Sequence, residues 1–417
     1  MNTETALGIS RSTADSIVAA EAVAERLRSL LDRIGAAAPT NIGYPVARDI
    51  DYRMFAPLLG HLLNNVGDPW LDSTYPGHVH DLEREVLDVM ATLFRAPPGW
   101  SGYITGGGTE GNLHALWLAR TKLPNAVVLH SNASHYSVPK ACGLLGLPTA
   151  VVATSVTGEI DYDDLARQAA RHRNRPAIVV ANIGTTMTEA VDDVAAIHHA
   201  LDTAGVTHRY VHSDAALAGI PLASATGRPA FDLADGADSI SVSGHKFLGT
   251  PLVCGIVLAR RGPGELAPAV DYIGSRDTTI SGSRSGLAAV MLWHATHSID
   301  AIGHARRAQQ AREVAGYAAQ RLESIGWPAW RNPHALTVVL RRPPADVAAR
   351  WPLPTSGNWS HIVCMPGVTA TQIDDLVHDL LGRARPQPGR RPATSTGAPV
   401  GTEFRRRIRT GRNRRGR

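Results

Sequence analysis

The spacing of apolar and polar positions divides the chain into segments of different period. Residues 14–35 repeat apolar positions at helical spacing, and Arg33 followed by Gly35 reads as the stop of that helix. An irregular stretch follows, marked by Gly43-Tyr44-Pro45, Gly67-Asp68-Pro69 and Tyr75-Pro76-Gly77, before helical spacing resumes over 82–95. The middle third alternates short apolar runs with amphipathic stretches. Candidate strands lie at 126–130, 150–153, 177–181, 210–213, 239–243 and 254–259, with helical patterns such as 163–173 and 193–204 between them. Strand and helix alternating at this interval predict a mostly parallel sheet, seven-stranded in type, covered on both faces.

A long helical region runs from about 287 to 325. A smaller unit follows: strand 336–340, a short helix at 346–351, strand 361–365 and helix 372–381. Thr369 with Gln372 three positions on predicts a capping box for the last helix. No internal repeat is visible. The expected architecture is α/β: an N-terminal helical segment over 1–45, a large domain over 46–300 and a small α+β domain over 301–382.

Composition agrees with this. The chain has 417 residues, 44% hydrophobic and only 5% aromatic, enough for a large core built from small aliphatic side chains. No apolar run reaches membrane-spanning length, and the first residues lack the basic-then-apolar pattern of a secretory signal, so a cytoplasmic protein is expected. Cys142, Cys254 and Cys364 are isolated and lack metal-ligand spacing, which predicts buried thiols and no metal. The net charge of +5 is unevenly placed. From Arg383 onward twelve arginines oppose one acid, Glu403, so this tail carries +11 and the rest of the chain −6. Such a tail over 383–417 is expected to be solvated and disordered, with contact to nucleic acid the lesser reading.

Four stretches carry candidate chemistry. Ser241-Val242-Ser243-Gly244-His245-Lys246 closes an apolar run on a lysine. A desolvated amine titrates low and becomes nucleophilic, which suits a Schiff base, although a strand-end lysine is commonplace. Tyr210 to Ala216 is a second strand ending on a carboxylate, Asp214, followed by small residues. In an open sheet such a position faces ligands, and Asp214 could hold a pyridine nitrogen protonated or simply cap a helix. Gly106 to Asn112 precedes a helical pattern and could cradle a phosphate on backbone N–H groups; it matches neither the P-loop nor the dinucleotide fingerprint. His135, after a strand and a polar turn, could stack on a ring or relay a proton, or be structural.

Taken in order, these stretches resemble the group II pyridoxal-phosphate decarboxylases of fold type I, most closely the bacterial histidine decarboxylases and the plant serine decarboxylases. The resemblance spans about 40–381 and includes Asn41–Pro45, Tyr103–Asn112, His135–Val138, Gly158–Asp164, Asn182–Thr186, Ser241–Lys246 and Thr279–Arg284. It implies pyridoxal 5'-phosphate on Lys246, its ring nitrogen at Asp214, and its ring between His135 and Ala216. Gly108, Thr109, Thr186, Ser243 and His245 are implied around the phosphate. It also implies a homodimer in which Tyr272–Arg284 reaches the partner's site. Decarboxylation of an L-amino acid is therefore expected, histidine to histamine first and serine to ethanolamine second. His135 or Tyr272 is the candidate donor of a proton to Cα. Tyr75, His78, Tyr272 and Arg284 are candidate substrate residues. Ser73 to His78 matches neither relative, and Ser285 stands where both usually have asparagine, which leaves another substrate open. Transamination or oxidation to an aldehyde on the same fold is the alternative chemistry.

Overall fold

The computed structural model describes residues 13–71, 73–262 and 269–382. The arginine-rich tail, and the disorder expected of it, lie outside the described residues. Seven strands form the central sheet: β1 Ser101–Thr105, β2 Val127–Ser131, β3 Thr149–Val152, β4 Ala177–Asn182, β5 Arg209–Asp214, β6 Ser239–Ser243 and β7 Gly255–Ala259. Their order is β1-β7-β6-β5-β4-β2-β3. All run parallel except β7, which pairs antiparallel with both β1 and β6. Every residue of β2, β4, β6 and β7 is buried, the condition that produces unbroken apolar runs rather than alternation. The expected α/β architecture is therefore present, with one strand reversed.

Helices α1 Thr13–Ala37, α2 His80–Leu93, α3 Gly108–Lys122, α4 Ser137–Leu145, α5 Tyr162–Arg171 and α6 Val194–Thr203 precede or connect these strands. Gly35 does not end α1; the helix runs on to Ala37 and gives way to a 3-10 turn containing Pro39, which lacks the N–H needed to continue. The long helical region divides into α7 Gly286–His297 and α8 Ala301–Ser324. Asp300 makes the break, its side chain accepting from Gly303 N at 2.7 Å as an N-cap. Among the elements that the sequence pattern does not mark are β1 and α4. β1 is short and flanked by glycine, and α4 carries Pro139 and Gly143, both poor helix formers. Pro139 is tolerated because it sits in the first turn, where its missing N–H has no intrahelical partner.

A four-stranded antiparallel sheet completes the described chain, with Thr337–Arg341 and Trp359–Val363 at its centre. The closing helix, α9 Ala345–Arg350 being the short one before it, is α10 Ala370–Leu381, and Thr369 and Gln372 form the expected capping box. This sheet has its own apolar cluster around Val338, Trp351, Ile362 and Leu376, which Ile42 joins from the Asn41–Pro45 stretch. No helix among the described residues is long and apolar enough to cross a membrane.

Candidate active site

Because β1, β2, β4, β5 and β6 share one direction, their carboxyl ends open on a single edge of the sheet. A cavity of about 240 Å³ lies there. It is lined by the turn after β1 (Gly108, Thr109), by His135 after β2 and by Thr186 after β4. Asp214 and Ala216 at the end of β5, and Ser243, His245 and Lys246 at the end of β6, complete it. The nine residues expected around a cofactor are thus brought together from five separate strand ends.

The glycine turn is shaped by its neighbours. Gly107 has φ 143°, a conformation that favours glycine, and α3 starts immediately after it. Glu110 Oε2 accepts from Gly106 N at 2.8 Å, while Tyr103 donates its hydroxyl to Glu110 Oε1 at 2.9 Å. The first-turn N–H groups of α3 have no intrahelical partner and face the cavity edge, an anion site by construction. A Cβ on Gly108 would stand 3.0 Å from Ser243 Oγ and 3.3 Å from Ala216 Cβ, so any larger residue there would crowd the cradle. Phosphate donors, a carboxylate and a buried amine in one cavity fit the chemistry of pyridoxal phosphate.

Burial lowers the pKa of Lys246, opposed by Asp214 and then by Glu189. Burial likewise lowers His135, with Asp214 opposing and Lys246 adding to the shift. The Asp214 side chain accepts from Asn112 Nδ2 at 2.7 Å and from the Ala216 amide at 3.3 Å. His135 Nδ1 lies 2.8 Å from Ser137 Oγ. Asn112, in the glycine-turn motif but without an assigned role, also lines the cavity. Two buried acids escaped the sequence reading altogether. Asp192 accepts from the backbone N–H groups of Asn182 and Ile160, at 2.7 and 2.8 Å. Glu189, at φ 50°, accepts from Leu336 N, Thr337 N and Thr337 Oγ1 and so ties the loop after β4 to the C-terminal sheet. Only a fold that packs that sheet against the loop gives Glu189 its partners, whereas Asp192 finds its own on β4 and on the segment before α5.

Tyr75, His78, Tyr272 and Arg284 do not line this cavity. Tyr75 donates its hydroxyl to Leu62 O at 3.3 Å, and His78 stacks on His80 with ring centroids 4.4 Å apart. Thr74 bonds to the backbone of Tyr272 and Ile273, so these two segments lie side by side, with Tyr272 83% exposed. Arg284 is buried in an antiparallel ribbon of Asn64–Val66 with Ser283–Ser285. It pairs there with Glu83 and donates to Gly67 O at 2.8 Å. Glu83 is itself fully buried and also accepts from Ile104 N and Asn65 Nδ2. In this position Arg284 holds β1 and α2 to the ribbon. Glu83→Ala is expected to lower unfolding free energy by about 3–5 kcal/mol, because it leaves the guanidinium buried and unpaired. The urea midpoint measures this, and a loss under about 1 kcal/mol would contradict it. Ser285 N-caps α7 by accepting from Ala288 N at 3.2 Å, a task asparagine performs equally well.

Residues 50–325 match the family described as the pyridoxal-dependent decarboxylase conserved domain. The chain belongs to that family. Among its relatives, a histidine decarboxylase from Mesorhizobium japonicum is 46% identical over 347 residues, covering 82% of this chain and 94% of the relative. A histidine decarboxylase from Acinetobacter baumannii is 40% identical over 356 residues, with 83% and 92% covered. Among solved structures, L-methionine decarboxylase from Streptomyces sp. 590 superposes with a TM-score of 0.77 at 25% identity, covering 89% of this chain and 96% of that one. Glutamate decarboxylase from Lactobacillus brevis, at 17% identity and a TM-score of 0.73, covers 90% of this chain and 92% of its own and shares the fold. The chain is a pyridoxal-phosphate-dependent amino-acid decarboxylase of fold type I.

Proposed function

We propose that this decarboxylase converts L-histidine to histamine and carbon dioxide, with the cofactor carried on Lys246. The convergence of Lys246, Asp214, His135 and the Gly108 cradle in one cavity carries the reading of the site. The 46% and 40% identical histidine decarboxylases support the substrate. When bound, pyridoxal phosphate supplies the electron sink for the pair left as the Cα–carboxylate bond breaks. The chain's residues do the rest. Lys246, its proton affinity reduced by burial, presents an amine able to attack a carbonyl. Asp214 would hold a proton on the ring nitrogen of the bound cofactor. Thr109, Thr186, Ser243 and His245, beside the α3 N-terminus, would hold its phosphate. His135 and Ala216 would hold the cofactor ring between them, and His135, or Tyr272 of a second subunit, would donate a proton toward Cα.

We read the active form as a homodimer. Val23, Leu27, Leu30, Leu31 and Ile34 form an exposed apolar stripe on α1 at the spacing of one helix face, and Tyr272 projects into solvent. A second copy covering these surfaces would bring Tyr272, and with it Tyr75 and His78, to a neighbouring cavity. Light scattering measures the mass directly, and a monomer at working concentration would defeat this reading. The large unit over 46–300 and the small one over 301–382 are proposed as separate domains; most of the small unit's apolar residues form their own cluster, while Ala308, Ala311, Leu336, Val363 and Met365 pack into the cluster of the large unit. The three cysteines are buried and unpaired, which supports a reducing cytoplasm.

The substrate is tested with a panel of common amino acids, serine and methionine included, scored by mass spectrometry for the amine and by release of carbon dioxide. Histidine is expected to give the highest kcat/KM. A higher value for serine or another amino acid would replace the substrate, and aldehyde or keto acid as the main product would replace the reaction.

A further inference from the structure

Asn112 stands in the second turn of α3, and its side-chain amide is fully bonded. Nδ2 donates to Asp214 Oδ2 at 2.7 Å and to Ser137 Oγ at 3.0 Å. Oδ1 accepts from Ser241 Oγ at 2.7 Å and from His212 Nε2 at 3.0 Å. One residue therefore ties together α3, α4, β5 and β6. The preceding Gly111 permits it: a Cβ there would lie 2.8 Å from Ser241 Cβ, so α3 presses onto β6 only with glycine at that position.

The orientation of this amide is decided by its partners. Reversed, it would set an amide oxygen 2.7 Å from a carboxylate oxygen of Asp214 and an NH2 group against the Ser241 hydroxyl. With Nδ2 toward Asp214, the state of each neighbour follows in turn. His212 donates from Nε2, so its Nδ1 is the acceptor for Ser239 Oγ at 2.8 Å. Ser137 Oγ accepts from Asn112, which leaves its own hydrogen for His135 Nδ1 at 2.8 Å. The Ser137 backbone N–H points at the same nitrogen from 3.3 Å. His135 Nδ1 therefore faces two donors and carries no hydrogen.

We propose that Asn112 is a positioning residue that sets the hydrogen-bond polarity of the pocket, holding His135 as the Nε2–H tautomer and Asp214 as an acceptor. A second proton on His135 would have to enter at Nδ1, against both Ser137 donors. His135 thus stays neutral and offers Nε2–H, and the lowering of its proton affinity by burial acts in the same direction. The consequence for catalysis rests on the reading of this cavity as the cofactor pocket. The tautomer assignment does not.

The experiment is nitrogen NMR on the full chain labelled with nitrogen-15 histidine, with and without pyridoxal phosphate; His135→Gln and His212→Gln supply assignments. The parent is expected to show His135 and His212 each with a pyridine-type Nδ1 and a pyrrole-type Nε2. Asn112→Asp keeps the shape but turns an acceptor on Asp214 and Ser137. It is expected to disturb both histidine signals and to raise the dissociation constant for pyridoxal phosphate at least about tenfold by tryptophan-fluorescence titration. Ser137→Ala cuts only the link to His135 and is expected to alter the His135 signal while leaving that of His212 in place. A His135 protonated at Nδ1 in the parent overturns the proposal, as do unchanged histidine signals in Asn112→Asp or, should that variant not fold, in Ser137→Ala. Failure of the parent to bind pyridoxal phosphate would instead defeat the cofactor reading, and the spectra without cofactor would still decide the tautomer.

Discussion

Lys246→Ala is expected to lose the visible absorbance band of the lysine-bound cofactor and to lower kcat by at least about three orders of magnitude. The amine of Lys246 is the nucleophilic nitrogen placed in the cavity, and burial lowers its proton affinity against the pull of Asp214 and Glu189. Alanine leaves the Gly108–Thr109 turn, His245 and Asp214 in place, so the variant should still hold pyridoxal phosphate non-covalently. Gel filtration followed by an absorbance spectrum separates the two effects: cofactor should co-elute, with the spectrum of the free aldehyde. A retained lysine-type band would remove Lys246 from the mechanism.

Asp214→Asn is expected to lower kcat by about 10²–10³-fold, the scale on which one preorganised electrostatic group acts on a developing charge. Asp214 is 7% exposed and anchored on both oxygens, by Asn112 Nδ2 and by the Ala216 amide, so its position is set before any ligand arrives. An amide of the same shape keeps the packing but cannot hold a proton on a ring nitrogen. The loss should therefore fall mainly on kcat, while the NH2 that replaces one accepting oxygen faces a buried donor and is expected to lower unfolding free energy by about 1–3 kcal/mol. Activity within about fivefold of the parent would mean that the ring nitrogen is not held there.

Much of this site was legible along the chain because strand ends leave marks. Asp214 and Lys246 each follow an apolar run, and a charged group at the end of a buried strand stands out against the cost of burying it. The glycine turn before α3 was legible for a similar reason, since Gly106, Gly107 and Gly108 in a row admit few backbone paths. Arg284 shows the opposite case. Its motif pointed toward substrate, whereas its guanidinium is occupied by Glu83, two hundred and one positions away along the chain. Nothing local announces such a partner. Glu189 and Asp192 went unnoticed for the same reason, because their carboxylates are answered by backbone N–H groups of distant segments.

By itself the sequence determined the alternation of strands and helices, the order of the candidate site residues and the family to which the chain belongs. Those properties reside in local periodicity and in collinear motifs, which need no third dimension to be read. Tertiary structure decided which carboxyl ends share an edge, that β7 runs against its neighbours, and that Arg284 is bound inside the protein. It also decided that the Asn112 amide, between α3, α4, β5 and β6, dictates where the protons of His135 and His212 sit. A hydrogen-bond network has direction only when donors and acceptors from separate elements are within reach of one another, and that is a property of packing.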